Sequence, residues 1–293
     1  MTITNILSAL LATLLGALAT VWYGARASLQ GFHRFPQAAF AWGHFIHRCI
    51  IEILLLWTWF DLEMHEFHFR QTYVPSTRSV FLGVHPSTVM VPSYMHALGL
   101  MTGDRHVGVI GKREYLQWFF RVQIGPWKIP LVPNIALPVF GLAALRAKVA
   151  IFIDRAGKEK TIQRIKEQIE AFPPQSNLLI FPEGTRFTPR KFRDPKHRQE
   201  KCVHTLRFNA GGLWAIMQVR PPSRENSYFW IDWACSKPDH NLLGLPWLCQ
   251  ARLFFRVKDV SDQLSKVRTK KELEIWLNSR REDADAFIAR RRS

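Results

Sequence analysis

Phe81–Met90 reads FLGVHPSTVM. An apolar run ends on a histidine, His85. Pro86, Ser87 and Thr88 follow it, and then a mostly apolar stretch. The pattern predicts a buried strand that delivers an imidazole to the mouth of a helix. Pro86 suits the first helical turn, where a backbone N–H has no intrahelical partner in any case. A ring held there feels the positive end of the helix dipole, which favours the neutral imidazole that a general base needs. A satisfied histidine beside a helix cap is the plainer reading of the same ten residues.

Working outward, the chain from Ser79 onward repeats this grammar. Short apolar runs recur at Ser79–Val84, Val107–Gly111, Val149–Ile153, Leu178–Phe181, Phe229–Trp233 and Leu253–Val257. Helical stretches separate several of them. In Lys158–Phe172, Ile162, Ile165, Ile169 and Phe172 share one face, while Lys, Arg and Glu take the other. Pro173-Pro174 ends that helix. A last helix, about Lys270–Ala289, gathers Leu273, Trp276, Leu277, Ala284, Phe287 and Ile288 on one side and runs into Arg290-Arg291-Arg292. The expected class is α/β, a mixed sheet flanked by helices.

Ahead of that domain, Ile3–Tyr23 carries no charged residue and is long enough to cross or enter a bilayer. Ala17-Leu18-Ala19 resembles a signal-peptide cleavage site, but the basic start of such a peptide is missing. Arg26 and Arg34 follow the segment, so the positive-inside rule puts the rest of the chain on the cytosolic side. Phe35–Phe60 is apolar again, but His44, His47 and Arg48 interrupt it. A charge at mid-bilayer is costly. Ala38–Phe60 therefore reads as a helix at the interface, forming with the first segment a hairpin seated in one leaflet. A second span is the competing reading. The expected division is residues 1–65 as membrane-anchoring helices and 66–293 as the α/β domain.

Composition narrows the partners. The 293 residues carry a net charge of +17, and 47% are hydrophobic. That balance implies an anionic partner. Eleven Trp and 21 Phe alongside it favour a membrane interface. No compact basic-aromatic repeat of a nucleic-acid module is present, so nucleic acid is not expected as a partner. Cys49, Cys202, Cys235 and Cys249 have no C-x-x-C spacing, which argues for a reducing compartment and against a zinc site.

Three further strand ends carry chemistry-bearing residues. Leu178–Phe187, LLIFPEGTRF, runs an apolar strand into Pro182, Glu183, Gly184, Thr185 and Arg186. Gly184 permits close backbone approach, and Thr185 with Arg186 offers a hydroxyl and a planar bidentate donor suited to phosphate. An ordinary turn beside a solvated basic face would look similar. Val149–Arg155, VAIFIDR, presents Asp154 and Arg155 at a strand's carboxyl end, where α/β sheets bind ligands or form a structural ion pair. In Val107–Tyr115, VGVIGKREY, Lys112 stands at another strand end, placed either to reach an anion or to be solvated.

In order, these four blocks resemble those of the glycerolipid acyltransferase superfamily, whose best known members are the PlsC-type lysophosphatidic acid acyltransferases. FPEGTR at Phe181–Arg186 matches the family's most specific block without change, and FIDR at Phe152–Arg155 matches the block that helps hold glycerol phosphate. Lys112 resembles the family's intervening lysine. WLNSRREDADAFI near the C-terminus looks like the closing helix of the larger members. The resemblance covers roughly Ser79–Arg292 and implies acyl transfer from acyl-CoA or acyl carrier protein to the hydroxyl of a lysophospholipid acceptor such as lysophosphatidic acid. His85 would be the base. Lys112, Arg155 and Arg186 would bind the acceptor phosphate, with Glu183, Gly184 and Thr185 shaping the pocket. The resemblance implies no metal and no organic cofactor. Membrane lipids are the implied surroundings.

One position departs from the pattern. The family has an aspartate five residues after the histidine, and Met90 stands there. A thioether cannot fix the imidazole tautomer or stabilise imidazolium. Asp104 is the first candidate for a substitute acid and Glu114 the second. Loss of the acid from an otherwise lipid-binding relative, and an unusual replacement in an intact site, are the other readings.

Overall fold

The computed structural model describes residues 3–30, 35–49, 59–64, 78–84, 90–102, 107–112, 119–124, 127–133, 150–153, 158–172, 176–184, 189–194, 202–237 and 251–292. Helix α1 covers Ile3–Gln30 and α2 covers Phe35–Phe45. Strands β1 (Trp59–Met64) and β2 (Arg78–Gly83) follow, then α3 (Met90–Thr102) and β3 (Val107–Lys112). Next come the hairpin strands β4 (Phe119–Ile124) and β5 (Trp127–Pro133), then β6 (Ala150–Ile153), α4 (Lys158–Glu170), β7 (Asn177–Ile180) and α5 (Pro189–Arg193). The chain continues through α6 (Ala210–Val219), β8 (Asn226–Cys235), β9 (Arg252–Asp259), α7 (Ser261–Ser265) and α8 (Lys270–Arg292).

Seven strands form one sheet in the order β1-β9-β8-β2-β7-β3-β6. Strands β8, β2, β7, β3 and β6 run parallel to their neighbours in that list, whereas β9 is antiparallel to β8 and carries β1 parallel to itself. The sheet is therefore mixed, as the sequence leads one to expect. The central strands are buried on both faces: Val80, Phe81, Leu82 and Leu178 are fully inaccessible. This is why they read as unbroken apolar runs rather than as alternation. Helix α4 buries Ile165, Ile169 and the following Phe172, the stripe its period predicts. It packs on α6 and β6, and α8 packs on α6 and β8. With the layers closed, Trp230, Trp233, Tyr228 and Phe255 are among the largest fully buried side chains.

At the N-terminus α1 packs on α2, and α2 on α3. Ala9, Ala12 and Ala19 form the buried side of α1, while Leu7, Leu10, Leu14, Leu18 and Trp22 face outward and are more than half exposed. The Trp42 indole donates to the Thr20 hydroxyl at 3.0 Å, tying the two helices together. By length and composition, α1 over Ile3–Arg26 can cross a membrane.

Two features depart from the sequence reading. Trp59 and Phe60, expected at the end of an interfacial helix, lie in β1. The reason is visible in WFDLEM, where Phe60, Leu62 and Met64 alternate with Asp61 and Glu63 in the two-residue period of a strand. The β4–β5 hairpin was also not anticipated. It stands apart from the main sheet as a two-stranded antiparallel ribbon.

Candidate functional site

Four of the sheet's neighbouring strands, β2, β7, β3 and β6, are the four that lead into the motif blocks. All run the same way, so their carboxyl ends share one edge. Their registers are level: Leu82 pairs with Ile180, Val109 with Leu179, and Lys112 with Ile153. Neighbouring strands lie about 4.8 Å apart, so the edge from β2 to β6 is about 14 Å wide. The carboxyl edge of a parallel sheet is where α/β proteins bind ligands. Lys112 is the final residue of β3. His85, Asp104, Glu114, Asp154, Arg155, Thr185 and Arg186 lie outside the described residues, and Met90 opens α3.

After β7 the chain turns at once. The Gly184 N–H donates to the Phe181 carbonyl at 2.8 Å, closing a turn with Pro182 and Glu183 in its central positions. Proline at the second position and glycine at the fourth are what such a turn favours. Gly184 has φ 61°, in the left-handed region where a β-carbon is disfavoured. Glu183 is buried at 2% exposure, and its carboxylate accepts the Leu206 N–H at 3.0 Å. The Pro182 carbonyl accepts the Asn209 N–H at 2.8 Å. Glu183 therefore ties this turn to the segment ahead of α6, a bracing role beside the pocket-shaping one expected of it.

That segment is held in turn by α8. The Asp285 carboxylate accepts the N–H groups of Val203 (3.2 Å), His204 (2.6 Å) and Thr205 (2.9 Å), and the Thr205 hydroxyl at 3.2 Å. Arg281, fully buried one turn earlier, donates to the Thr205 carbonyl at 2.9 Å and to its hydroxyl at 3.2 Å. Burial pulls the Arg281 guanidinium below its ordinary range, opposed by Cys202 and by the nearby carboxylates of Asp285 and Glu183. Burial likewise pushes the Cys202 thiol up. Sequence reading missed this brace. The available signal was a charged pair at i and i+4, Arg281 and Asp285, on the same helix face as Leu277, Ala284 and Ile288.

The end of β2 is held from the other direction. Tyr94 of α3 is 1% exposed, and its hydroxyl is shared between the carbonyls of Val84 (3.1 Å) and Ile231 (3.2 Å). Its ring meets Phe181 and Phe255 edge-on, with centroids 5.5 and 5.3 Å away. Burial, then the carboxylates of Asp232 and Glu183, pushes the phenol well above its ordinary range, so it remains a donor. On β8, the buried Asp232 carboxylate accepts the Trp230 indole at 2.6 Å and Arg256 Nε at 2.7 Å. Between α2 and α3, His44 and His96 bring their Nδ1 atoms within 3.1 Å, and His47 stacks on His96 with its Nδ1 3.0 Å from the Ser93 hydroxyl. Among the described residues no group of three or more His, Cys, Asp or Glu side chains is arranged to hold a metal ion.

No family model and no curated protein matches this chain. Solved structures do. The crystal structure of the 1-acyl-sn-glycerophosphate (LPA) acyltransferase PlsC from Thermotoga maritima is similar with a TM-score of 0.55, covering 97% of this chain and 96% of that one. At 12% identity the likeness establishes a shared fold, in which the N-terminal helices as well as the α/β layers take part.

Proposed function

We propose that the chain is a membrane-associated acyltransferase that moves an acyl group from acyl-CoA or acyl carrier protein to the free hydroxyl of a lysophospholipid, lysophosphatidic acid first among them. The observation that carries this reading is the sheet order. The strands leading to HPSTVM, FPEGTR, FIDR and GKREY, far apart in sequence, are four consecutive neighbours ending on one edge. The PlsC-type fold and the outward apolar face of α1 support it.

In this mechanism the His85 imidazole takes the proton of the acceptor hydroxyl as its oxygen attacks the thioester carbonyl. The carbon–sulfur bond then breaks, and the leaving thiolate recovers the proton from the imidazolium. No side-chain nucleophile is acylated, and no metal or cofactor is called for. Lys112, Arg155 and Arg186 hold the acceptor phosphate, with bidentate geometry available to the two arginines. An edge about 14 Å wide suits a headgroup gripped at one end and deprotonated at the other. The active site faces the cytosol, at a bacterial inner membrane or the endoplasmic reticulum, where basic residues follow α1.

The test is acyl transfer by the purified full-length chain with a panel of lysolipids and labelled acyl-CoA. Turnover abolished by His85→Ala is the expected result. Asp104→Asn should cripple the enzyme if Asp104 orients His85, and Met90→Asp should leave the rate unchanged or raise it. Lysolipid binding without turnover in the unmodified protein would replace this reading with that of a lipid-binding homologue, for which Met90 in the acid's position is the specific argument.

A further inference from the structure

We propose that the histidine cluster joining α2 to α3 is a proton-sensitive joint between the apolar N-terminal helix pair and the α/β domain. The inference is independent of the acyl-transfer reading. Its members are His44 of α2, His47 in the π-helical turn 46–49 that continues it, and His96 of α3. His47 and His96 are buried, at 0% and 5% exposure, and His44 is exposed. The Nδ1 atoms of His44 and His96 lie 3.1 Å apart. Such a contact needs a proton on one nitrogen and a bare lone pair on the other, and imidazolium has no bare nitrogen. The two rings therefore cannot both be charged while the contact stands. His47 stacks on His96 with centroids 4.5 Å apart, so a proton on each would set two cations face to face.

None of the three helices supplies an anion to offset such charge: residues 3–49 and 90–102 contain no Asp or Glu. The charged side chains of α1, of α2 with its continuation, and of α3 are Arg26 and Arg48. The other titratable groups there are Tyr23, set against Phe45 with centroids 6.1 Å apart, the half-buried Cys49, and Tyr94, whose hydroxyl is turned to the carbonyls of Val84 and Ile231. Burial, then His96, Arg48 and His44, holds His47 down to about 3. Burial, then His44 and Arg48, holds His96 down to about 4. The backbones leave no slack, since a β-carbon on Gly43 would lie 2.6 Å from Met95 Cβ and 3.1 Å from the Pro92 carbonyl oxygen. Relief comes from parting α2 from α3, which returns both buried rings to water and to an ordinary 6.5. The closed joint is thus favoured above pH 6.5 and loses ground as pH falls below it. Between pH 7.5 and 5.5 each released imidazole multiplies the open population about tenfold, and the two together about 100-fold. The Trp42 indole, bonded to Thr20, keeps α2 with α1 when it leaves α3.

The experiment is hydrogen–deuterium exchange of the detergent-solubilised full-length chain at pH 7.5 and 5.5, read by peptide mass spectrometry and corrected for the intrinsic exchange rate at each pH. Local opening of a segment shows as lost amide protection in that segment alone. The expected result is that protection of residues 35–49 and 90–102 falls about 100-fold on acidification, while that of α6 and β8 changes less than about threefold. His96→Gln removes one of the two buried imidazoles and should reduce the fall to about tenfold. The double variant His47→Gln/His96→Gln should show a fall of less than about threefold. The unmodified chain decides by itself where a variant does not fold. A fall of less than about tenfold there, a fall shared equally by α6 and β8, or a fall of full size in the double variant would each overturn the proposal.

Discussion

Replacing Asp285 with alanine removes an acceptor on which four donors converge. The cost follows from their burial. Thr205 is 1% exposed, so its N–H and hydroxyl lose a partner that water cannot replace, at about 1–3 kcal/mol for a stranded buried group. Val203 is 56% exposed, and its N–H rehydrates at little cost. The 2.6 Å bond from the His204 N–H is charge-assisted and contributes about 1.5–3 kcal/mol before partial rehydration. Arg281, with no solvent contact, also loses a nearby anion. Because these losses overlap, Asp285→Ala should cost about 3–5 kcal/mol, the range for breaking one partner out of a buried charged network. Asp285→Asn keeps an oxygen for His204 and Thr205 and turns its amide toward the solvated Val203 N–H, so its cost should be about 1–2 kcal/mol. Urea unfolding of the detergent-solubilised chain, followed by tryptophan fluorescence, measures both. With a slope of about 2–3 kcal/mol/M, the alanine variant should lose about 1–2.5 M in its midpoint. An alanine variant within about 0.5 kcal/mol of the unmodified protein, or an asparagine variant as damaged as the alanine one, would refute the view that α8 braces the segment 202–206 through this carboxylate.

Two further outcomes test other parts of the fold. Burial, with His44 and Arg48 adding to it, holds His96 down to about 4, against 6.5 for an ordinary imidazole. The unfolded chain therefore binds the extra proton first, and the stability present above pH 6.5 is lost as pH falls toward 4. Between pH 7.5 and 5.0 the loss from this group is about 2 kcal/mol, and His96→Gln should remove that part of the slope in unfolding titrations. At the Asp232–Arg256 pair, Arg256→Leu strands a fully buried carboxylate and should cost about 3–5 kcal/mol, whereas replacing both partners with apolar residues should cost less than that single change. A double replacement as costly as Arg256→Leu alone, read by the same urea titration, would contradict this.

Much was legible in the residues alone because the physics there is local. Each parallel strand buried on both faces shows itself as a short apolar run, and α4 and α8 declare their buried faces by period. The chemistry-bearing residues could be named because FPEGTR, FIDR and the histidine block each sit at the end of such a run. The order of strands in the sheet could not be read in this way. Hydrogen bonding between β2 and β7, or β7 and β3, joins segments many residues apart, and nothing in either segment states its partner. That order is what brings four separate motifs to one edge. The bracing residues were hidden for the same reason: Tyr94, Arg281 and Asp285 look like ordinary helix positions until the fold sets them against carbonyls and N–H groups far along the chain. Sequence by itself determined the buried apolar strands and the amphipathic helices α4 and α8, and put chemistry-bearing residues just after the ends of such strands. Tertiary structure decided which strand ends meet, because pairing is a property of two segments brought together and is written in neither one.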